Sequence, residues 1–167
     1  LIIISDYGKG ACSQKAVKYI INKSNELEKP VLIDPRKKVA NFDFYRNCTI
    51  ITPNFYETRS LFPGISNDDN DITRSAEHIR NKYDIGNVII TRGDKGMSVL
   101  SKGSPIVHLL TQAKEVFDVS GAGDTVIATL GVCIATGLDL IESANIANIA
   151  AGIVISHRGT TPIKIDE

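Results

Sequence analysis

The chain alternates short, unbroken apolar runs with longer stretches in which apolar residues return every three or four positions. Residues 1–4, 31–33, 49–51 and 88–90 are runs of the first kind, each too short for a helix. Turn-forming segments close them: Ser5-Asp6-Tyr7-Gly8-Lys9-Gly10, Asp34-Pro35, Thr52-Pro53-Asn54 and Thr91-Arg92-Gly93. Such runs predict strands buried on both faces. Between the first two, Ala16, Val17, Ile20, Ile21 and Leu27 mark an amphipathic helix that Ser13 caps and Pro30 stops. A short helix is expected over residues 55–61, ended by Pro63. A polar loop over 66–71 precedes a third helix, over 75–83, with Thr73 as its cap. Residues 97–100 and 105–109, with glycine between them, predict a hairpin. Two strongly apolar helices follow, over 122–136 and 140–156, the second capped by Asp139.

Strands alternating with helices predict an α/β domain, a mostly parallel sheet covered on both faces. Ligands of such sheets lie beyond the carboxyl ends of the strands. Asp6, Lys9, Asp34, Asn54, Glu57, Thr91 and Arg92 all fall on loops that follow strands, so they are expected to converge on one edge.

The densest chemistry is Asp118-Val119-Ser120-Gly121-Ala122-Gly123-Asp124-Thr125, directly before an apolar helix. Small residues there allow a tight turn and leave backbone N–H groups bare at a helix start, where unpaired donors and the helix dipole favour anionic oxygens. Asp124 beside them suits a base that takes a proton from a hydroxyl while the amides hold the phosphoryl group under attack. It also suits an ordinary first-turn aspartate that complements the dipole.

Three further segments carry the same double reading. Asn54 and Glu57 have the spacing of a capping box, or could organise magnesium-bound water around nucleotide phosphates. Thr91-Arg92-Gly93-Asp94-Lys95-Gly96 is a turn with solvated charges, or a phosphate contact through the Thr91 hydroxyl, the Gly93 amide or Arg92. Asp6 and Lys9 share a loop that could touch substrate. His78, His108 and His157 have no partner at metal-ligand spacing and read as structural or solvated.

Composition narrows the class. Lysine plus arginine and aspartate plus glutamate are 19 each in 167 residues, so no basic surplus points to nucleic acid or an anionic membrane, and the substrate is expected to be small. Cys12, Cys48 and Cys133 form no C-x-x-C pair, which fits a reducing, cytoplasmic setting. No apolar stretch approaches the roughly 18 residues of a spanning helix.

Taken together, the segments at 54–57, 91–93 and 118–125 resemble the ribokinase-like (PfkB) family of ATP-dependent carbohydrate kinases. Within it the chain is most similar to the heptose 7-phosphate kinase branch, through Ser5 to Gly10, Val31 to Pro35, Thr52-Pro53-Asn54 and Thr111-Gln112-Ala113-Lys114-Glu115-Val116. The resemblance implies a three-layer α/β/α fold and transfer of the ATP γ-phosphoryl to the anomeric hydroxyl of a heptose 7-phosphate, feeding ADP-heptose and lipopolysaccharide-core synthesis. It implies Asp124 as catalytic base, with the amides of Gly121, Ala122 and Gly123 holding the transferring group. Asn54, Phe55, Tyr56 and Glu57 would contact ATP phosphates and the waters of Mg²⁺. Thr91, Arg92, Gly93 and Gly96 would line the nucleotide, with Asn148 near the adenine. Asp6 and Lys9 would face the sugar, and Asp118 and Ser120 stand where relatives often hold a monovalent cation such as K⁺. Arg36 departs from the branch, which usually has lysine after Asp-Pro. The resemblance also implies that this chain is the C-terminal, nucleotide-binding portion of one kinase domain, with the first strands, most sugar contacts and the lid preceding Leu1. A same-family kinase for another sugar, an inactive nucleotide-binding fragment, and a homodimer through an open sheet edge all stay open.

Overall fold

Each apolar run forms a strand: β1 Ile2–Ser5, β2 Val31–Asp34, β3 Ile50–Ile51 and β4 Asn87–Thr91. The expected hairpin adds β5 Met97–Leu100 and β6 Val107–Leu109. The computed structural model describes residues 1–36, 41–113, 116–159 and 162–163; Lys114 and Glu115 lie outside them. The six strands form one sheet in sequential order, with β1 to β4 parallel and β5 and β6 antiparallel.

Successive residues of a strand point to opposite faces, and here both faces are apolar. Val31, Ile33, Val88 and Ile90 pack with α1 (Gln14–Glu26) and α3 (Asp69–Tyr83) on one side. Leu32, Ile89 and Val99 pack with α4 (Ala122–Ala135) and α5 (Leu140–Ile155) on the other. The result is the three-layer α/β/α arrangement, held by burial on both sides of the sheet. Each fully buried Leu or Ile contributes about 1.5–3 kcal/mol to it. Ser13 and Asp139 cap α1 and α5 as expected, the first accepting from the Ala16 amide and the second from the Glu142 amide.

Two expectations are corrected. Of the first apolar run only Ile4 is buried; Ile2 and Ile3 are exposed, because β1 is an edge strand with β2 on one flank only. The helix expected from Thr73 begins earlier: Asp68 caps α3, its carboxylate accepting from the Asp71 amide at 2.9 Å. Thr73 lies inside α3 and donates its hydroxyl to the Asp69 carbonyl at 2.6 Å. The acidic residues of this stretch face the positive end of the helix, which makes them first-turn residues rather than a loop.

Parallel pairing brings the strand ends together. The Asp6 amide donates to Asp34 O at 2.9 Å, Thr52 N to Ile33 O at 2.9 Å and Thr91 N to Pro53 O at 3.1 Å. The loops after β1, β2, β3 and β4 therefore share one edge of the sheet.

Candidate functional site

Gly121 sets the entry to α4. It is the helix N-cap in the left-handed region, at φ 82°, where a side chain is disfavoured and none is available to cap the first turn. Beside Gly123 a Cβ would meet nothing within 4 Å, so the space against the helix start is open. Asp124 sits exposed in that first turn. Its Oδ1 accepts a 2.6 Å hydrogen bond from the Tyr7 hydroxyl, which links the loop after β1 to the start of α4.

Two hollows flank this turn. One, of about 460 Å³, is walled by Gly93, Gly96 and Met97, by Thr111 and Ala113, by Val116, Val119 and Ala122, and by Asn148, Ala151, Gly152 and Ile155 of α5. Its size is that of a small-molecule site, and its wall is mostly apolar with few polar groups. Asn148 is buried there, and its side-chain amide donates to Leu110 O at 2.6 Å. The other hollow, of about 370 Å³, is lined by Gly121, Asp124, Thr125, Ala128 and Thr129 with Pro162 and Ile163. The Gly121 to Asp124 turn is thus a partition between an apolar cavity and a second cleft.

The other candidate residues fall into four groups. Gly93, Gly96 and Asn148 line the apolar cavity. Asn54 and Glu57 form a complete capping box at α2 (Phe55–Leu61): Glu57 N donates to Asn54 Oδ1 at 2.9 Å, and Asn54 N to Glu57 Oε2 at 2.8 Å. A parallel bridge sets Asn54 beside Thr91, so both segments lie at the shared sheet edge but outside the cavity wall. Phe55 packs against the core of the α1/α3 layer, while Tyr56 is exposed.

Asp6 and Arg92 have side chains turned inward. Asp6 accepts from the Gly8 amide and from the Tyr45 hydroxyl, each at 2.8 Å, so its carboxylate shapes the loop while Lys9 stands exposed. Arg92 does not join the cavity. It is only 3 % exposed and bonds Asn67, the Asp69 carboxylate at 2.6 Å and Ser98. That guanidinium holds the Asp69 carboxyl below its usual value. Lys95 likewise donates to Asn67 O. The two cations of this turn therefore anchor the start of α3.

Asp118 accepts from the Ser120 amide at 2.9 Å, and this bond, with others from the Ser120 hydroxyl and the Gly159 amide, keeps its carboxyl below the ordinary aspartate range. The segment is pinned to α5 through Phe117 N and Ile155 O at 2.8 Å. His108 accepts or donates at Ser98 Oγ, 2.8 Å away, and His78 stacks edge-on with Phe62, both structural roles. Among the described residues no group of three or more His, Cys, Asp or Glu could hold a metal ion, and no helix is long and apolar enough to cross a membrane.

Sequence reasoning missed Tyr7, although it lies between the two residues singled out in its loop. It also missed the apolar wall beyond Gly93, Gly96 and Asn148. Gly152 was the available signal: glycine inside an apolar helix is unfavourable without a packing reason, and here a Cβ would stand 3.1 Å from the Ala113 amide.

Comparison with known proteins bears on the whole chain. Residues 3–166 match the pfkB family carbohydrate kinase pattern. The bifunctional protein HldE of Photorhabdus laumondii is 44% identical over 163 residues, covering 98% of this chain and 33% of that protein. HldE of Pseudomonas aeruginosa is 40% identical over 167 residues, 100% of this chain and 34% of its own length. The chain thus spans about a third of the curated relatives it matches. Among solved structures, Arabidopsis thaliana ribokinase complexed with ribose and ATP superposes with a TM-score of 0.80 at 20% identity, over 90% of this chain and 50% of that one. Escherichia coli phosphofructokinase-2 in complex with potassium gives 0.84 at 16% identity, over 99% and 54%. These two establish the ribokinase-like fold. With the family match running almost end to end, the chain belongs to the PfkB family of carbohydrate kinases, which are phosphotransferases.

Proposed function

We propose that this chain is the C-terminal, nucleotide-side portion of a kinase that moves the γ-phosphoryl of ATP to the anomeric hydroxyl of heptose 7-phosphate. The observation that carries the reading is the partition: a carboxylate and an open helix N-terminus set between an apolar cavity and a second cleft. The adenine would take the apolar cavity, against Gly96, Val116 and Gly152, with Asn148 as its polar contact. The acceptor sugar would approach from the Asp124 side, near Tyr7 and Lys9. Resemblance to the heptose kinase branch and identity to HldE proteins support the choice of sugar.

In that arrangement the amides of Gly121 to Gly123 meet the γ-phosphoryl oxygens, and the α4 dipole favours the charge that gathers on them. Asp124 takes the proton of the attacking hydroxyl as the new O–P bond forms and the bond to the leaving ADP oxygen breaks. A bound Mg²⁺ would supply positive charge to offset that of the phosphates. Glu57 and Asn54, already fixed by their capping box, would order its waters, and few carboxylates suffice because magnesium keeps several waters. Asp118 and Ser120 would contribute to a monovalent cation site.

The test of the reading is ADP release by the longest natural protein that carries this sequence, with heptose 7-phosphate, fructose 6-phosphate and ribose as acceptors. Heptose 7-phosphate is expected to give the highest kcat/KM, by about 10-fold or more, the scale that hydrogen-bonded recognition of a sugar readily provides. Preference for another sugar would keep the kinase and overturn the substrate.

Glu57→Gln separates its two roles. Glutamine can still accept from the Asn54 amide, so the helix and the melting temperature are expected to hold. The magnesium concentration for half-maximal rate is expected to rise about 10-fold, as when a group that orients a metal's ligands is removed. Superimposable magnesium titrations would leave Glu57 with the cap alone.

A further inference from the structure

The contact between Tyr7 and Asp124 assigns work to a residue that the reading above leaves unused. Tyr7 is 64% exposed, so burial does not place it. Its loop does. Asp6 is buried and accepts from both the Gly8 amide and the Tyr45 hydroxyl, and Tyr45 in turn accepts from the Arg36 amide at 3.2 Å. This anchoring fixes the backbone on both sides of Tyr7 and sends its phenol across to the start of α4. There the hydroxyl donates to Asp124 Oδ1 at 2.6 Å, a contact spanning 117 residues of sequence.

A carboxylate acting as base needs one oxygen aimed at the acceptor hydroxyl. Asp124 is on an exposed helix turn, where its χ torsions are otherwise unrestrained. A charge-assisted bond to one oxygen selects a single orientation and presents the other. We propose that Tyr7 is a positioning residue for phosphoryl transfer: its hydroxyl holds Oδ1 of Asp124 so that Oδ2 faces the acceptor. The inference rests on Asp124 being the base. The bond also raises the phenol above its ordinary pKa, chiefly through the hydrogen bond to Asp124, so Tyr7 stays a donor throughout the neutral range.

Tyr7→Phe in the longest natural protein keeps the ring and removes the donor. Its kcat is expected to fall about 10-fold, the scale of one lost hydrogen bond to a charged group, while KM for ATP and for the sugar each stay within about twofold. A second readout needs no activity. With ring-carbon-labelled tyrosine, the resonance lost in Tyr7→Phe identifies Tyr7, and its titration midpoint should drop toward the ordinary tyrosine value in Asp124→Ala, which removes the acceptor oxygen. A kcat within twofold of wild type, a loss confined to the sugar KM, or a midpoint unmoved in Asp124→Ala would each overturn the positioning role. The base assignment stands or falls separately, on the kcat of Asp124→Asn alone.

Discussion

Asp124→Asn is expected to lower kcat by about 10²–10⁴, the range for removing a positioned general base, which is about 3–5 kcal/mol of transition-state stabilisation. Asparagine keeps the size of the side chain and can still accept from Tyr7, so the turn over residues 121–124 should keep its shape. Binding of ATP should persist within about threefold, because in the proposed arrangement backbone amides and the apolar cavity, not this carboxylate, would hold the nucleotide. The competing role of Asp124 predicts something different. An aspartate that only complements the α4 dipole is worth about 0.3–1 kcal/mol of stability and nothing to the chemical step. Single-turnover rates and nucleotide titrations on wild type and variant distinguish the two. Retention of a tenth or more of wild-type kcat would remove Asp124 from the base role.

The layers of the fold were legible because local and tertiary preferences agree. Residues 31–33 and 88–90 are apolar at every position, and each strand meets a helix layer on both faces. Ser13, Asn54 and Asp139 sit where their side chains meet the first free amides, so three helix starts follow from the sequence. The start of α3 did not, because Asp68, Asp69 and Asp71 offer competing caps and the choice depends on distant residues. Arg92 reaches from the end of β4 to bond Asp69, and Asn67 takes both Arg92 and Lys95. The same long-range demand turns the Arg92 guanidinium toward α3 rather than the cavity. A cation near glycines suggests a phosphate contact from spacing alone, whereas a buried cation must first be paired.

The site itself was half legible. Glycines and an aspartate at a helix start carry their chemistry in the backbone, which adjacent residues determine. The cavity wall comes from four separate segments, and no local pattern announces that Met97, Thr111, Val116 and Ala151 will face one space. Tyr7 illustrates the same limit. Its partner is 117 residues away, and only the anchoring of Asp6 decides which way the phenol points.

Gly96→Ala is the substitution expected to damage the fold most for its size. Gly96 has φ 77° and ψ −122°, a backbone conformation that side chains rarely adopt. A Cβ there would stand 2.1 Å from Leu109 O, 2.6 Å from Thr111 N and 2.7 Å from Leu110 C. All three are backbone atoms at the end of β6, so no rotamer can relieve the contact. Conformational strain costs about 1–3 kcal/mol, and overpacking adds about 1–3 kcal/mol more. That is a large part of the about 5–15 kcal/mol that holds a typical domain. Gly93→Ala supplies the control: Gly93 also has positive φ, 65°, yet a Cβ there would meet nothing within 4 Å. It should cost the strain alone. Chemical denaturation of both variants should therefore place Gly96→Ala below Gly93→Ala by about 1–3 kcal/mol. Because Gly96 and Thr111 both wall the apolar cavity, nucleotide affinity should fall with it, by about 10-fold if the wall shifts enough to lose 1.4 kcal/mol of contact. Equal stability of the two variants would mean that the end of β6 moves freely, and that the cavity is not held by the packing against Gly96.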